Sequence, residues 1–204
     1  MLTLDHIVIT APDLATGTAW AEEKLGVALA PGGEHPAMGT HNRLLSLGPD
    51  EYLEVIAIDP DLPAPGQPRW FGLDEVSGPP RLSAWMTRTD DLDAALAAAP
   101  DGVGRIHALA RSDFRWRVAI PETGRTPHHG LFPSVLQWEG TAHPAPRLPD
   151  HGLRLSELVL LTPEPEALES ALRPLFPDPR LTIRAADAPD MAATLSGPSG
   201  TVTL

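Results

Sequence analysis

Residues 4–15 read LDHIVITAPDLA and residues 155–168 read LSELVLLTPEPEAL. Each is an apolar run of strand character that leads through a proline and an acidic residue into a helical pattern. Laid over one another without gaps, they put Pro12 on Pro163 and Asp13 on Glu164. A second pair behaves the same way. LSLGPDEYLEV (45–55) superposes on TLSGPSGTVTL (194–204), with Gly48-Pro49 on Gly197-Pro198. Such self-similarity points to a repeated supersecondary unit rather than an arbitrary α+β chain.

From these anchors the unit reads outward. In the first copy the strand LDHIVIT precedes a helix with Asp13 as N-cap. Leu14, Thr18, Ala21 and Leu25 share one face of that helix, and Gly26 stops it. A glycine-rich turn then leads to the strands HNRLLSLG and EYLEVIAI, joined at Gly48-Pro49-Asp50. The second copy runs RLSAWMT, the helix DDLDAALAAAP ended by Pro100, then RIHALA, RWRVAI and LFPSVLQWE. The third runs LSELVLLT, a helix opened by Thr162-Pro163 and ended near Pro174, then LTIRA, MAATLSG and GTVTL.

Two proline-rich stretches separate the copies. Residues 59–80 hold six prolines and three glycines, and residues 140–152 three more prolines, so neither sustains a helix or a central strand. The expected fold is α+β, with βαβββ units over 1–58 and 81–139 and a third, partial unit over 153–204. The odd unit leaves strand edges to be covered. It is expected either to pack on the rest of the chain or to complete a sheet across a two-fold homodimer.

Composition narrows the function classes. The 204 residues suffice for a sizeable core. With 15 basic and 27 acidic residues the net charge is −12, which argues against nucleic acid and anionic membrane surfaces as partners. The absence of cysteine removes disulfides, thiolate catalysis and cysteine-ligated metals. The N-terminus MLTLDHIVIT lacks a basic region and carries Asp5 and His6 in its apolar run, unlike a signal peptide, and no apolar run spans a bilayer. A cytoplasmic protein is the expectation. No nucleophile elbow, phosphate loop or dinucleotide fingerprint occurs.

Several residues stand out against their surroundings. His6 sits in an apolar strand. Glu54 alternates with Tyr52 and Ile56 on one strand face, so a cavity rather than solvent is expected to receive its carboxylate. His35, His41 and Asn42 fall in EHPAMGTHN, a turn held by Gly32, Gly33 and Gly39 that is read also as a substrate-contacting loop. Arg115 and Arg117 share one face of RWRVAI, with Trp116 on the other, and are candidates to clamp an anionic substrate group. His128-His129 is a bare pair in a loop, best explained by exposure.

Taken together, the βαβββ units with His early in the first strand and Glu in the last resemble the vicinal oxygen chelate superfamily. GGEHPAMGTHNRLLSLGPDEYLEVIAID and LFPSVLQWEGTAHP are most similar to its glyoxalase-like domain branch. The resemblance implies two units pairing their sheets around a cup, with a ligand offered by the first and last strand of each. His6 and Glu54 are then metal ligands; the second unit maps Ala84 onto His6 and Gln137 onto Glu54, leaving His6, Glu54 and Gln137 for a divalent ion such as Zn, Ni, Mn or Fe. Glu54 or Glu139 would move a proton, and His41, Asn42, Arg115, Arg117 and Trp138 would contact a small-molecule substrate. Isomerase, lyase or dioxygenase chemistry on vicinal oxygens follows if the metal is held. The alternative, favoured by Ala84, is a metal-free cup that binds or sequesters a small molecule.

Overall fold

The computed structural model describes residues 1–204. The first unit forms β1 (Thr3–Thr10), α1 (Leu14–Leu25), β2 (Ala30–His35), β3 (Thr40–Ser46) and β4 (Tyr52–Ile58). As the sequence predicts, the Asp13 carboxylate caps α1 by accepting from the Thr16 N–H at 2.7 Å, and Gly26 ends it at φ 68°. The second unit forms β5 (Arg81–Arg88), α2 (Leu92–Ala97), β6 (Arg105–Arg111), β7 (Phe114–Ile120) and β8 (Ser134–Trp138).

These strands make one curled eight-stranded sheet, in the order β2-β3-β4-β1-β5-β8-β7-β6. In both units the last strand runs parallel to the first, and the units join antiparallel through β1 and β5. That seam has a local two-fold. Ile7 faces Trp85, His6 faces Met86 and Val8 faces Ala84, so His6 corresponds to Ala84 and Val8 to Met86. The register slips once on each side of the centre, at Asp5 and at Ser83, which are therefore also equivalents.

Strand alternation sorts the side chains. Val8, Ile56, Ala84, Met86, Trp116, Val118, Ile120 and Leu136 gather on the concave face. Ile7, Ile9, Leu53, Val55, Leu82, Trp85 and Val135 join the main core on the convex face, where Ala21 and Leu25 of α1 and Leu92 of α2 cover them.

The third unit supplies β9 (Arg154–Thr162), α3 (Pro165–Leu172), β10 (Leu181–Ala185), β11 (Asp190–Gly197) and β12 (Gly200–Thr203). It packs on the rest of the chain: Leu158, Leu160, Met191, Ala193 and Leu195 enter the same main core, and Phe176 meets Trp85 edge-on at 5.1 Å. Arg180 adds a two-pronged ion pair to Glu51 in the β3–β4 turn. The element order repeats that of the first unit, but the pairing does not. Here β10 lies parallel to β9 directly, and the sheet order is β10-β9-β11-β12. Local patterning sets elements; pairing partners are a long-range choice that the gapless overlay could not carry.

The glycine-rich segment is also corrected. Residues 30–35 are edge strand β2, not a turn, and Gly32 and Gly33 are needed for close approach rather than for φ. A Cβ on Gly32 would lie 2.0 Å from Asn42 Oδ1, and one on Gly33 2.9 Å from Arg111 Cδ.

Candidate functional site

Alternation on eight strands and one linker turn brings His6, His35, Asn42, Tyr52, Glu54, Met86, Arg111, Trp116, Leu136 and Trp138 around the concave face, with Trp70 and Phe71 over them. Half of the chain's ten aromatic residues (Tyr52, Trp70, Phe71, Trp116 and Trp138) line this cup. Its free volume is about 30 Å³, room for about two or three water molecules. The Trp70–Glu75 turn closes it, with Phe71 at φ 58° and Gly72 at φ 62°. A non-glycine residue in the left-handed region is strained and is held there by its surroundings. Gly72 donates to the Gly124 carbonyl at 2.9 Å, and Arg69–Asp74 and Arg125–Glu75 ion pairs flank the crossing.

A polar chain crosses the apolar floor. Asp5, fully buried at the β1 bulge, engages His6 Nδ1 at 2.6 Å through one oxygen. Its other oxygen accepts from Trp138 Nε1 at 2.8 Å and meets His143 Nε2 at 3.1 Å. His6 stacks on Tyr52 with centroids 4.3 Å apart and turns Nε2 toward Glu54 Oε2 at 3.5 Å. Glu54 Oε1 accepts from the Asn42 amide, whose Oδ1 in turn accepts from the Gly33 N–H at 2.8 Å and from Arg111 at 3.2 Å. Arg111 reaches from β6 across the open side of the sheet to His35 Nε2, 2.9 Å away, while His35 Nδ1 meets Thr40 Oγ1.

Burial opposes charge on all these groups, and the pairing overrides it for three. His6, buried but hydrogen-bonded to Asp5 and Glu54, is pushed up to about 9. Asp5 stays well below the usual carboxylate range despite burial, through its bonds to His143 and His6. Glu54 is likewise lowered, by His6 first and then by His35 and Asn42. His35 has no carboxylate partner, and burial drops it to about 4. At neutral pH the cup therefore holds Asp5 and Glu54 as anions, His6 and Arg111 as cations, and His35 neutral.

The donor set can be tested against a divalent ion. With Nδ1 bound to Asp5, His6 keeps Nε2 for ligation, and Glu54 offers Oε2. The two-fold should double this pair, but Ala84 stands opposite His6. Met86 pairs with Ser134 as Val8 pairs with Glu54, so Ser134 stands opposite Glu54. His35 and Asn42 spend their acceptors on Arg111, and no three His, Asp or Glu side chains gather to hold an ion. Two protein donors beside a guanidinium fall short of the roughly three a catalytic metal needs. The residues present do not fit the group.

Of the residues singled out from sequence, the cup brings together His6, His35, Asn42, Glu54 and Trp138. The others lie elsewhere. Gln137 points to the helix side, where it accepts from the Leu92 N–H and donates to the Asp90 carbonyl, capping α2. Arg117 shares that face, bound to Asp93 and Gln137. Arg115 folds back onto the Ser112 and Phe114 carbonyls, and Glu139 is exposed beyond the strand end. His41 alternates away from Asn42 and pairs with Asp59 at 3.2 Å. The metal assignment of Gln137, the clamp by Arg115 and Arg117, and the proton role of Glu139 therefore have no place in the cup. The error is one of parity. Gln137 is three residues past Ser134, and an odd offset along a strand reverses the face. His128 and His129 form a left-handed turn outside the cup.

Sequence reasoning missed Arg111, Trp70, Phe71 and the Asp5 hub. The signals were faint: an aromatic pair inside a proline-rich linker, and an aspartate beside a histidine in an apolar strand.

Residues 4–176 match the glyoxalase-like domain family. No curated protein matches the sequence. Among solved structures, a hypothetical protein from Staphylococcus aureus is 13% identical, with TM-score 0.64 over 93% of this chain and 88% of that one. Methylmalonyl-CoA epimerase from Mycobacterium tuberculosis is 21% identical over 68% and 88% of the two chains, TM-score 0.42. A Streptomyces coelicolor methylmalonyl-CoA epimerase in complex with 2-nitronate-propionyl-CoA is 18% identical over 70% and 100%, TM-score 0.44. The curled sheet of paired βαβββ units and the match over most of its length agree: the chain belongs to the glyoxalase-like domain family of the vicinal oxygen chelate superfamily.

Proposed function

We propose that this glyoxalase-like protein binds a small organic molecule in the aromatic cup and sets a polar group of it against His6 and Glu54. The observation that carries this is the concentration of half the chain's aromatic side chains around one buried, charged floor. Binding sites join mostly apolar walls to a few placed polar groups. Trp70 supports the same reading, because it lines the cup and its buried indole N–H has no partner. A ligand acceptor would satisfy that donor. The reading is metal-free, since the cup's donors stop at two.

The test is a small-molecule screen by thermal unfolding and tryptophan fluorescence, repeated on Met86→Trp, which enlarges a side chain lining the cup. A true ligand at a hundredfold its Kd stabilises the fold by about 2.7 kcal/mol. That gain should vanish in Met86→Trp. A ligand that stabilises both proteins equally sits elsewhere and overturns the reading.

A second reading is favoured by Glu54, an ionised carboxylate held in an apolar cavity by His6 and Asn42. A carboxylate so placed accepts a proton from a carbon acid bound above it, with His6 stabilising the resulting anion. Ligand C–H exchange in D2O, lost in Glu54→Gln with binding retained, would establish it. Exchange unchanged in Glu54→Gln would refute it.

A further inference from the structure

Arg111 is the only arginine of the cup, and it also borders a second, larger space. Where the two ends of the curled sheet, β2 and β6, approach one another lies a groove of about 950 Å³. Leu29, Pro31, Leu44, Phe114, Leu148 and Pro149 give it apolar walls. The Arg111 guanidinium stands at the neck between groove and cup.

No carboxylate touches it directly. Arg111 donates through one Nη to His35 Nε2 and to the Asn42 amide oxygen, and it pairs with no carboxylate. The other arginine of the groove, Arg147, is already held two-pronged by Asp113. A half-buried cation with neutral partners has its remaining donors free for an anion, and guanidinium geometry suits a carboxylate. The backbone is shaped to keep it there, since Gly33 leaves the space in which the Arg111 side chain crosses β2.

Resting on the reading of the cup as a small-molecule site, we infer that the ligand is an amphiphilic monoanion whose carboxylate pairs with Arg111 at the neck and whose apolar body lies in the adjoining groove or cup. One unpaired cation calls for one negative charge. The walls on both sides call for a hydrocarbon or aromatic body rather than a sugar or polyphosphate.

The experiment compares isosteric pairs on the full chain by calorimetry and tryptophan fluorescence: hexanoate against hexanamide, and phenylacetate against phenylacetamide, with inorganic phosphate alone. Wild type should prefer each acid over its amide by about tenfold or more and bind phosphate alone more weakly than either acid. In Arg111→Met the preference should fall to within about threefold, with Arg111→Lys intermediate. If Arg111→Met does not fold, the wild-type acid-to-amide ratio decides by itself. Acids and amides bound equally would overturn the role of Arg111 while leaving the cup as a ligand site. Phosphate bound as tightly as the acids would overturn the apolar body. Failure of wild type to bind either pair would overturn the amphiphilic monoanion while leaving the cup to the broader small-molecule screen.

Discussion

The two halves of the eight-stranded sheet share a backbone plan and diverge in chemistry. At the seam, Asp5 and Ser83 occupy equivalent bulges and face Arg88 and Thr10 respectively, themselves equivalents. In the first half the bulge residue is a buried carboxylate that organises His6, Trp138 and His143; in the second it is a hydroxyl bonded only to Thr10 at 2.8 Å. His6 and Glu54 answer to Ala84 and Ser134. Symmetry of the fold thus supplies the cup, while its loss at a few positions supplies polarity. The second half contributes chiefly walls (Met86, Trp116, Val118, Leu136) and, from its edge, Arg111.

The sharpest way to break this contrast is to delete the two bulge side chains in turn. Asp5→Ala leaves His6 without its main partner and should cost about 3–5 kcal/mol in denaturant unfolding. Ser83→Ala should cost about 1 kcal/mol. Equal losses would show that the halves are not energetically distinct. The pH dependence separates them too. His6, raised to about 9 from an unfolded value of 6.5, contributes stability that is complete below pH 6.5 and lost as pH rises through 9. His35, depressed to about 4, acts oppositely, and stability falls as pH drops from 6.5 through 4. Unfolding midpoints across this range should decline at both ends, and His6→Gln should flatten the alkaline side.

Packing gives a third test. In Gly32→Ala the new methyl meets Asn42 Oδ1 and its carbonyl, at 2.0 and 2.4 Å as built, so β2 must shift, at a cost of about 1–3 kcal/mol. Restoring symmetry gives a fourth: Ala84→His with Ser134→Glu adds a second imidazole and carboxylate, and zinc or nickel affinity by calorimetry should rise at least about tenfold over wild type. No gain would mean that the halves differ in backbone as well as in side chains. The smallest effect belongs to the outer face, where Glu139→Gln and Arg115→Ala should each change stability by no more than about 0.5 kcal/mol.

Most of the fold was legible because its signals are local. Asp13 and Gly26 bound α1, Pro100 follows α2, and the apolar runs mark the strands. Glu54 could be named because alternation within a strand decides a face, His6 because an imidazole stands out in an apolar strand, and Asn42 and Trp138 because their stretches resemble the glyoxalase-like branch. What escaped depends on distance. Arg111 meets His35 and Asn42 only because opposite ends of an eight-stranded sheet curl together. β2 looked like a turn because the glycines that serve Asn42 and Arg111 mimic turn residues. Gln137 was misplaced by an overlay off by an odd number of residues, an error that register corrects and composition cannot.

The closed turn over the cup has a kinetic consequence. Only about 30 Å³ is free beneath Trp70 and Phe71, and the turn is pinned where Gly72 crosses Gly124. A ligand that enters the cup therefore waits for that crossing to part. Stopped-flow traces should show an observed rate that levels off with ligand concentration at the opening rate of the turn. The ceiling should be the same for every ligand that enters the cup, however tightly each is finally held.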